Sequence, residues 1–219
     1  MSTLTNGNRA LRSDFTIIAG MVRPGTRVLD LGCGDGSLMK FLARARGVEG
    51  YGIEIDDANV LAALKNGINV LQGDLERGLR SFADASFDTV LLSQTLQAMH
   101  NIEALMAEMV RVGREAIVSF PNFRYEPHFR QLEAGRMPVS DALPYQWHNT
   151  PNVHLCTLDD FEDLCKQLGL AIVERVAMAN GRLVKTVPNI NGELAIYRVR
   201  ATPAATAATA ARAGAAGIP

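Results

Sequence analysis

A glycine-rich run bordered by acidic residues is the strongest chemical signal in the chain. It reads DLGCGDG (residues 30–36) and ends the apolar run RVLDL (27–31). Gly32 and Gly34 can adopt positive φ angles, and they place no Cβ between the backbone and a ligand. A helix that begins after such a turn offers unpaired N–H groups at its start. The pattern predicts a nucleotide-binding turn between a strand and a helix, with a tight turn that binds nothing as the alternative.

The spacing of the glycines weighs mildly against a dinucleotide. A pyrophosphate-binding loop reads GxGxxG, whereas here Gly36 comes one residue early and Ser37 stands at the last position. Asp30 and Asp35 would repel a pyrophosphate, but their carboxylates can face an ammonium group. The loop therefore favours a ligand that carries an ammonium group.

Two more carboxylates follow the next strand-like runs. Glu54 lies near the end of GYGIEI (50–55), where a carboxylate can accept from both hydroxyls of a ribose. Asp74 follows INVLQ (68–72), where a carboxylate can accept from an adenine amino group. Alone, each is more often a helix cap or a solvated loop residue. Because the carboxyl ends of neighbouring parallel strands meet at one edge, the two together predict a nucleoside pocket.

Strand-like and helix-like runs alternate along the chain, which is typical of a doubly wound α/β sheet. Helices are predicted after Gly36, before Gly67, over 102–110 and after Thr157, where Asp160 completes a capping box and Gly169 ends the helix. The run at 88–93 is apolar on both faces, as in a buried parallel strand. Seven strands are predicted, at 27–31, 50–55, 68–72, 88–93, 115–120, 170–178 and 194–200.

Composition narrows the class of protein. The 219 residues carry 22 Lys and Arg against 23 Asp and Glu, so no charge excess predicts binding to nucleic acid or to an anionic membrane. No apolar run reaches the roughly 18 residues of a membrane span, and no secretory signal is visible. The three cysteines form no CxxC pair, which predicts a reducing cytoplasm and no metal site. We expect a flexible start (1–10), a folded domain (11–200) and an alanine-rich disordered tail (201–219).

The segment 121–156 interrupts the alternation. Its 36 residues show no convincing periodicity and contain five of the nine prolines, five aromatic residues and three of the four histidines. A loop of this length inside a compact domain is usually functional. The alternative is a folded cover over one edge of the sheet.

No catalytic group can be assigned from the sequence. Ser119 lacks a GxSxG elbow, and the three histidines of the segment, His128, His148 and His154, lack ligand spacing, so packing or hydrogen bonding is expected of them. The run after 88–92 begins Ser93-Gln94 rather than Asn/Asp-Pro-Pro-aromatic, which argues against N-methylation of a base or amide. A helix cap is the plainer interpretation of Ser93 and Gln94.

The runs DLGCGDG, GIEID, QGDL and FDTVLLS resemble the class I S-adenosylmethionine-dependent methyltransferases over about residues 25–120. The resemblance implies a Rossmann-like, mostly parallel seven-stranded sheet and S-adenosylmethionine as cofactor. It implies that Glu54 holds the ribose, that Asp74 and the Leu75 backbone hold the adenine, and that the glycine loop meets the methionine part. The expected cofactor-binding residues are Asp30, Gly32, Cys33, Gly34, Gly36, Glu54, Ile55, Asp74, Leu75 and Ser93.

A second resemblance extends from about residue 11 to residue 200. The runs LRSDF, RVGREAIVSFPNF and LPYQWHNTPNVHLCTLDDFEDLC are similar to the methionine biosynthesis protein MetW family, although RYE (124–126) departs from its pattern. Membership implies a partner, a homoserine O-acyltransferase, that this protein activates or regulates. The alternative is an S-adenosylmethionine-dependent methyltransferase acting on a small molecule.

Overall fold

The computed structural model describes residues 13–203. The predicted flexible start (1–10) and positions 204–219 of the predicted tail lie outside the described residues. The helices are α1 (Ser13–Met21), α2 (Ser37–Arg46), α3 (Asp57–Lys65), α4 (Ile102–Val112), α5 (Glu126–Glu133), α6 (Leu158–Gln167) and α7 (Pro188–Asn191). The strands are β1 (Arg27–Leu31), β2 (Glu49–Glu54), β3 (Val70–Gln72), β4 (Phe87–Ser93), β5 (Gly113–Pro121), β6 (Leu170–Ala179), β7 (Arg182–Val184) and β8 (Leu194–Ala201).

The strands form one mixed sheet in the order β3-β2-β1-β4-β5-β8-β6-β7. The first five strands of this order are parallel, and β8 is antiparallel to both β5 and β6. The prediction of a doubly wound, mostly parallel sheet is confirmed. Because β1 lies between β2 and β4, the loops after these three strands open onto the same edge of the sheet.

The predicted number of strands is wrong by one. The eighth strand is β7, which forms a two-residue hairpin with β6 across Asn180 and Gly181. Both turn residues have positive φ angles, 51° and 71°, and an Asn-Gly turn of this type matches the twist of antiparallel strands. The turn signal was therefore in the sequence, but a strand of only three residues shows no periodicity of its own.

Apolar side chains cover both faces of the sheet. On one face, Met106 of α4 and Phe161 of α6 pack in a cluster that includes Val90 of β4. On the other face, Ile18 of α1 and Leu42 of α2 pack in a second cluster that includes Leu91. Since successive residues of a strand face opposite sides, β4 is buried on both faces, as its apolar run predicts.

The helices differ from the predictions in three places. The capping box of Thr157 and Asp160 is present at the start of α6, and α2, α3 and α4 begin and end near their predicted positions. Helices α1 and α7 were not predicted, and α5 lies inside the segment 121–156, where no periodicity was seen. Within residues 13–203, no helix has the length and apolarity needed to cross a membrane.

Candidate functional site

The glycine loop between β1 and α2 is fixed by hydrogen bonds to the neighbouring strand. The N–H groups of Gly32 and Cys33 donate to the carbonyl oxygen of Ile53 at 2.8 and 3.0 Å. Gly32 and Gly34 have φ angles of 67° and 55°, which confirms the positive φ that the sequence predicts for them. The loop therefore has a defined backbone shape that residues other than glycine rarely adopt.

The three glycines of the loop have different surroundings. A Cβ on Gly32 would lie 2.7 Å from Oγ1 of Thr95, and a Cβ on Gly36 would lie 2.8 Å from the side chain of Ile68. Around Gly34, by contrast, no atom lies within 4 Å of the place a Cβ would take. Gly32 and Gly36 thus allow close packing within the protein, whereas Gly34 borders open space that a ligand can enter.

Glu54 joins the glycine loop to the end of β2. Its side chain is 8% exposed, and its Oε2 accepts from the Gly34 N–H at 2.8 Å. Its Oε1 accepts from the N–H groups of Ile55 and Asp56 at 2.8 and 3.0 Å. A carboxylate has about four acceptor positions, so this one stabilises the loop and keeps capacity for a further donor.

Asp30, like Glu54, is a buried acidic residue at this edge, and it is 2% exposed. Asp35 accepts from the Ser37 N–H at 3.0 Å, which satisfies one of the free donors at the start of α2. Asp14 of α1, which is also 2% exposed, accepts from Nε2 of Gln94 at 3.2 Å. Negative charge is therefore concentrated around the glycine loop, which suits a cationic ligand.

The Cys33 side chain faces the sheet. Its Sγ lies 2.3 Å from the position that a Cβ on Gly52 would take, so the thiol fills the space above that glycine. Burial, together with the charges of Asp30 and Glu54, raises the pKa of the Cys33 thiol to about 12. The thiol is thus neutral at physiological pH and is no nucleophile; the backbone of Cys33 shapes the loop.

Asp74 follows Gly73, whose N–H donates to the Glu54 carbonyl oxygen at 3.0 Å. This hydrogen bond brings Asp74 close to Glu54. Its Oδ1 accepts from the Glu76 N–H at 3.0 Å, so it caps the 3₁₀ turn Leu75–Arg77. Ile55, which follows Glu54 in the chain, is 62% exposed although its side chain is apolar. The structure therefore brings the loop, Glu54, Ile55, Asp74 and Leu75 to one edge of the sheet.

The turn after β4 contains a strained residue, Gln94, for which the sequence suggested only a helix cap. Gln94 has a φ of 53°, and its N–H donates to both the carbonyl oxygen and Oγ of Ser119, at 2.9 and 3.1 Å. Oγ of Ser119 lies 3.3 Å from Oγ of Ser93. The helix-cap interpretation is wrong, because the next turn, Leu96–Ala98, begins after Thr95 without a side-chain cap. A left-handed glutamine held by several partners often marks a functional site.

A small apolar cavity and a larger groove lie next to this turn. The cavity is lined by residues that include Leu96, Gln97, Phe120 and His154. The groove is formed by the segment 121–156, and we call it the Trp147 groove. Its lining residues are Phe123, Met137, Pro138, Leu143, Tyr145, Gln146, Trp147, Thr150, Asn152, Val153 and Leu155. Leu143 and Leu155 line both spaces, so the two are neighbours.

The histidines of the segment are separate from one another. His128 is fully buried and bonds the Asn122 carbonyl oxygen through Nδ1 and Ser140 Oγ through Nε2, at 3.1 and 2.9 Å. His148 and His154 are exposed. The hydrogen-bonding role predicted for these residues is confirmed for His128. Over residues 13–203, no group of three or more His, Cys, Asp or Glu side chains is placed to hold a metal ion.

The fold is that of the class I S-adenosylmethionine-dependent methyltransferases. An S-adenosylmethionine-dependent methyltransferase from Archaeoglobus fulgidus superposes with a TM-score of 0.65 over 86% of this chain and 91% of that one, at 14% identity. The family model of the methionine biosynthesis protein MetW matches residues 12–199. The chain belongs to the MetW family.

Two curated relatives are similar to the chain to different degrees. The chain is 38% identical to the "Bifunctional methionine biosynthesis protein MetXA/MetW" of Rhodopirellula baltica, over 88% of this chain and 34% of the relative. It is 26% identical to the ubiquinone/menaquinone biosynthesis C-methyltransferase UbiE of Vibrio vulnificus, over 66% of this chain and 64% of that protein. The chain thus spans about a third of the length of the first relative and less than two thirds of the second.

Proposed function

We propose that this protein binds S-adenosylmethionine at the glycine loop and acts with a homoserine O-acyltransferase in methionine biosynthesis. The observation that supports this partner is the name of the Rhodopirellula relative, whose single chain is named for both MetXA and MetW. Fusion keeps two polypeptides at a high effective concentration, which benefits proteins that must associate. In the proposed pair, this chain is the regulator and the partner performs the acyl transfer.

The residues around the glycine loop fit the proposed ligand. S-adenosylmethionine carries an ammonium and a sulfonium group, and the acidic residues of this edge include the buried Asp30. Open space beside Gly34 admits a ligand to the loop backbone. In this proposal Glu54 accepts from the ribose, while Asp74, Leu75 and Ile55 hold the adenine. When bound, the ligand would supply an electrophilic methyl group.

The remaining residues of the proposed site act through shape. Gly32, Gly36 and Cys33 give the loop its backbone form, and Ser93 lies at the end of β4 beside it. Methyl transfer from a sulfonium needs alignment more than acid or base groups, so the same site suits a sensor or an enzyme. We propose no catalytic residue.

A three-part assay tests the partner proposal. Acyltransferase activity is measured for the partner alone, with this protein, and with this protein plus S-adenosylmethionine. We expect association and a higher rate with this protein, and a further change when the ligand is present. Because linkage is reciprocal, the partner must then change the affinity for S-adenosylmethionine by the same factor. Neither association nor a change in rate would contradict the partner proposal.

The second candidate is a methyltransferase that acts on a small apolar molecule. The observation that favours it is the likeness to the UbiE protein of Vibrio vulnificus, which is named as a C-methyltransferase. A small apolar pocket, lined in part by Gln97 and Phe120, also lies at the carboxyl ends of β4 and β5. Steady formation of S-adenosylhomocysteine with an added small molecule, in the absence of the acyltransferase, would support this candidate.

A further inference from the structure

The Trp147 groove exposes an unusual amount of apolar surface. Trp147 is 73% exposed, and Tyr145, Met137 and Leu155 are each close to half exposed. Tryptophan and tyrosine carry large contact surfaces with few rotatable bonds, so ordering them on binding costs little entropy. An exposed apolar patch of this kind is typical of an interaction site.

Charged residues are nearly absent from the same stretch. Residues 137–158 contain one charged side chain, that of Asp141, in 22 positions, whereas 21% of the whole chain is charged. Two exposed leucines elsewhere lie beside charges: Lys65 follows Leu64 on α3, and Arg182 precedes Leu183 on β7. Depletion of charge together with exposed aromatic residues is the signature of the core of a protein interface.

The walls of the groove are held in place by bonds to the rest of the fold. Ser140 bonds the buried His128, and the backbone of Val139 is held by both polar atoms of the Gln131 side chain, at 3.0 and 3.2 Å. The N–H groups of Val153 and His154 donate to the Gln97 carbonyl oxygen at 2.9 and 3.0 Å. The groove is therefore formed before any partner arrives, which lowers the cost of binding.

We propose that the Trp147 groove is the surface on which the homoserine O-acyltransferase docks, through an uncharged apolar protrusion of that partner. This inference rests on the proposed function and names the surface through which it operates. A protein suits the groove better than a small molecule, because the Trp147 side chain projects into solvent instead of closing over a cavity. A charged partner surface would lose its hydration here without gaining an opposite charge.

The test compares three variants in direct binding to the purified acyltransferase. Trp147→Ala removes the projecting ring, and Met137→Glu places a charge on the neutral lining. Leu183→Ala is the matched control, since Leu183 is 53% exposed on β7 and does not line the groove. We expect association to weaken about 30-fold or more for Trp147→Ala and Met137→Glu, as for a central interface residue, and by less than about twofold for Leu183→Ala.

Thermal unfolding and S-adenosylmethionine binding should stay near native in all three variants, because the altered side chains are exposed. If the native protein does not bind the acyltransferase, the proposed function fails. If it binds and both groove variants bind equally well, the docking surface is wrong while the proposed function stands. Sedimentation tests whether the groove binds a second copy of this chain instead. If Trp147→Ala loses self-association but binds the acyltransferase like the native protein, the inference is also overturned.

Discussion

The glycine loop and the Trp147 groove both lie near the carboxyl ends of the central strands, yet they are built in opposite ways. The loop is short and hydrogen-bonded through its backbone, and buried carboxylates such as Asp30 and Glu54 surround it. The groove belongs to a segment of 36 residues with one short helix, and its exposed surface is apolar and almost uncharged. One region suits a small cation, and the other suits a neutral protein surface.

The two sites are encoded in the sequence in different ways. Backbone shape at the loop requires glycine at fixed positions, and parallel pairing of Leu31 with Ile53 brings it to Glu54. Such requirements leave a pattern in the sequence. The groove depends on side-chain bonds such as that between His128 and Ser140, twelve residues apart, which follow no period. The turn at Gln94 lies between the two sites. Within it, Nε2 of Gln97 donates to the Gln94 carbonyl oxygen at 2.8 Å.

The largest effect is expected from Gly34→Val. A β-branched residue at a φ of 55° costs roughly 1–2 kcal/mol in backbone strain, and its side chain would fill the open space that the ligand enters. We expect S-adenosylmethionine affinity, measured by calorimetry, to fall by more than about a hundredfold.

Gly25→Val is the matched control for Gly34→Val. Gly25 has a φ of 68°, no atom lies within 4 Å of its Cβ position, and it precedes β1 at the opposite edge of the sheet. The control should lose similar stability and keep its affinity for the ligand. Near-native binding in Gly34→Val would show that the loop is not the ligand site.

Glu54→Ala is expected to weaken S-adenosylmethionine binding by roughly ten- to a hundredfold, because charge-assisted hydrogen bonds contribute about 1.5–3 kcal/mol each. It also removes the acceptor for the N–H groups of Gly34, Ile55 and Asp56, so unfolding free energy should fall by about 1–3 kcal/mol. Glu49→Ala, at the exposed start of the same strand, should change neither quantity. Equal affinities for Glu54→Ala and the native protein would remove the ribose assignment.

The structural features that a local rule decides could be predicted from the sequence. The glycines of the loop, the β4 run and the capping box of Thr157 were predicted because a positive φ, burial on both faces and an orphan N–H each select particular residue types. Helix α5 was not predicted, because Pro127 in its first turn and its mostly polar composition hide the apolar period.

Other features are set by contacts far apart in the sequence. The left-handed Gln94 is held by Ser119 and by Asp14, which lie 25 and 80 residues away in the sequence. No neighbouring residue therefore predicts its conformation. The hairpin at Asn180 and Gly181 could have been found from its turn, although its three-residue second strand could not. The exposure of Trp147 depends on the whole course of the segment, which no local rule predicts.

His128 offers a pH test of the groove. Burial holds the pKa of this imidazole below its ordinary value, although the hydrogen bond to the Asn122 carbonyl oxygen and the charge of Glu193 both act in the opposite direction. The neutral form is therefore favoured in the folded state, and the stability it contributes is present above the ordinary value near 6.5. That stability is lost as the pH falls from there through the lower pKa of the folded state.

Urea unfolding at several pH values between 5 and 7.5 checks this expectation. His128→Phe should cost roughly 1–3 kcal/mol at pH 7.5, because it removes the hydrogen bonds to Ser140 Oγ and to the carbonyl oxygen of the buried Asn122. The native protein should lose more stability than the variant on acidification. Parallel pH profiles for the two proteins would contradict the assignment of the titration to His128.

The smallest effect is expected at Gln94, the residue between the two sites. Gln94→Gly relieves left-handed strain of roughly 1–2 kcal/mol. It also adds a backbone entropy cost of roughly 0.5–1 kcal/mol and removes the hydrogen bond to Asp14, worth roughly 0.5–1.5 kcal/mol. These contributions nearly cancel, so unfolding free energy should stay within about 1 kcal/mol of native. Gln94→Val keeps the strain and adds a branched Cβ, so it should be clearly less stable than Gln94→Gly. Urea unfolding measures both variants. If the glycine variant is the less stable of the two, the backbone strain at this turn does not limit its stability.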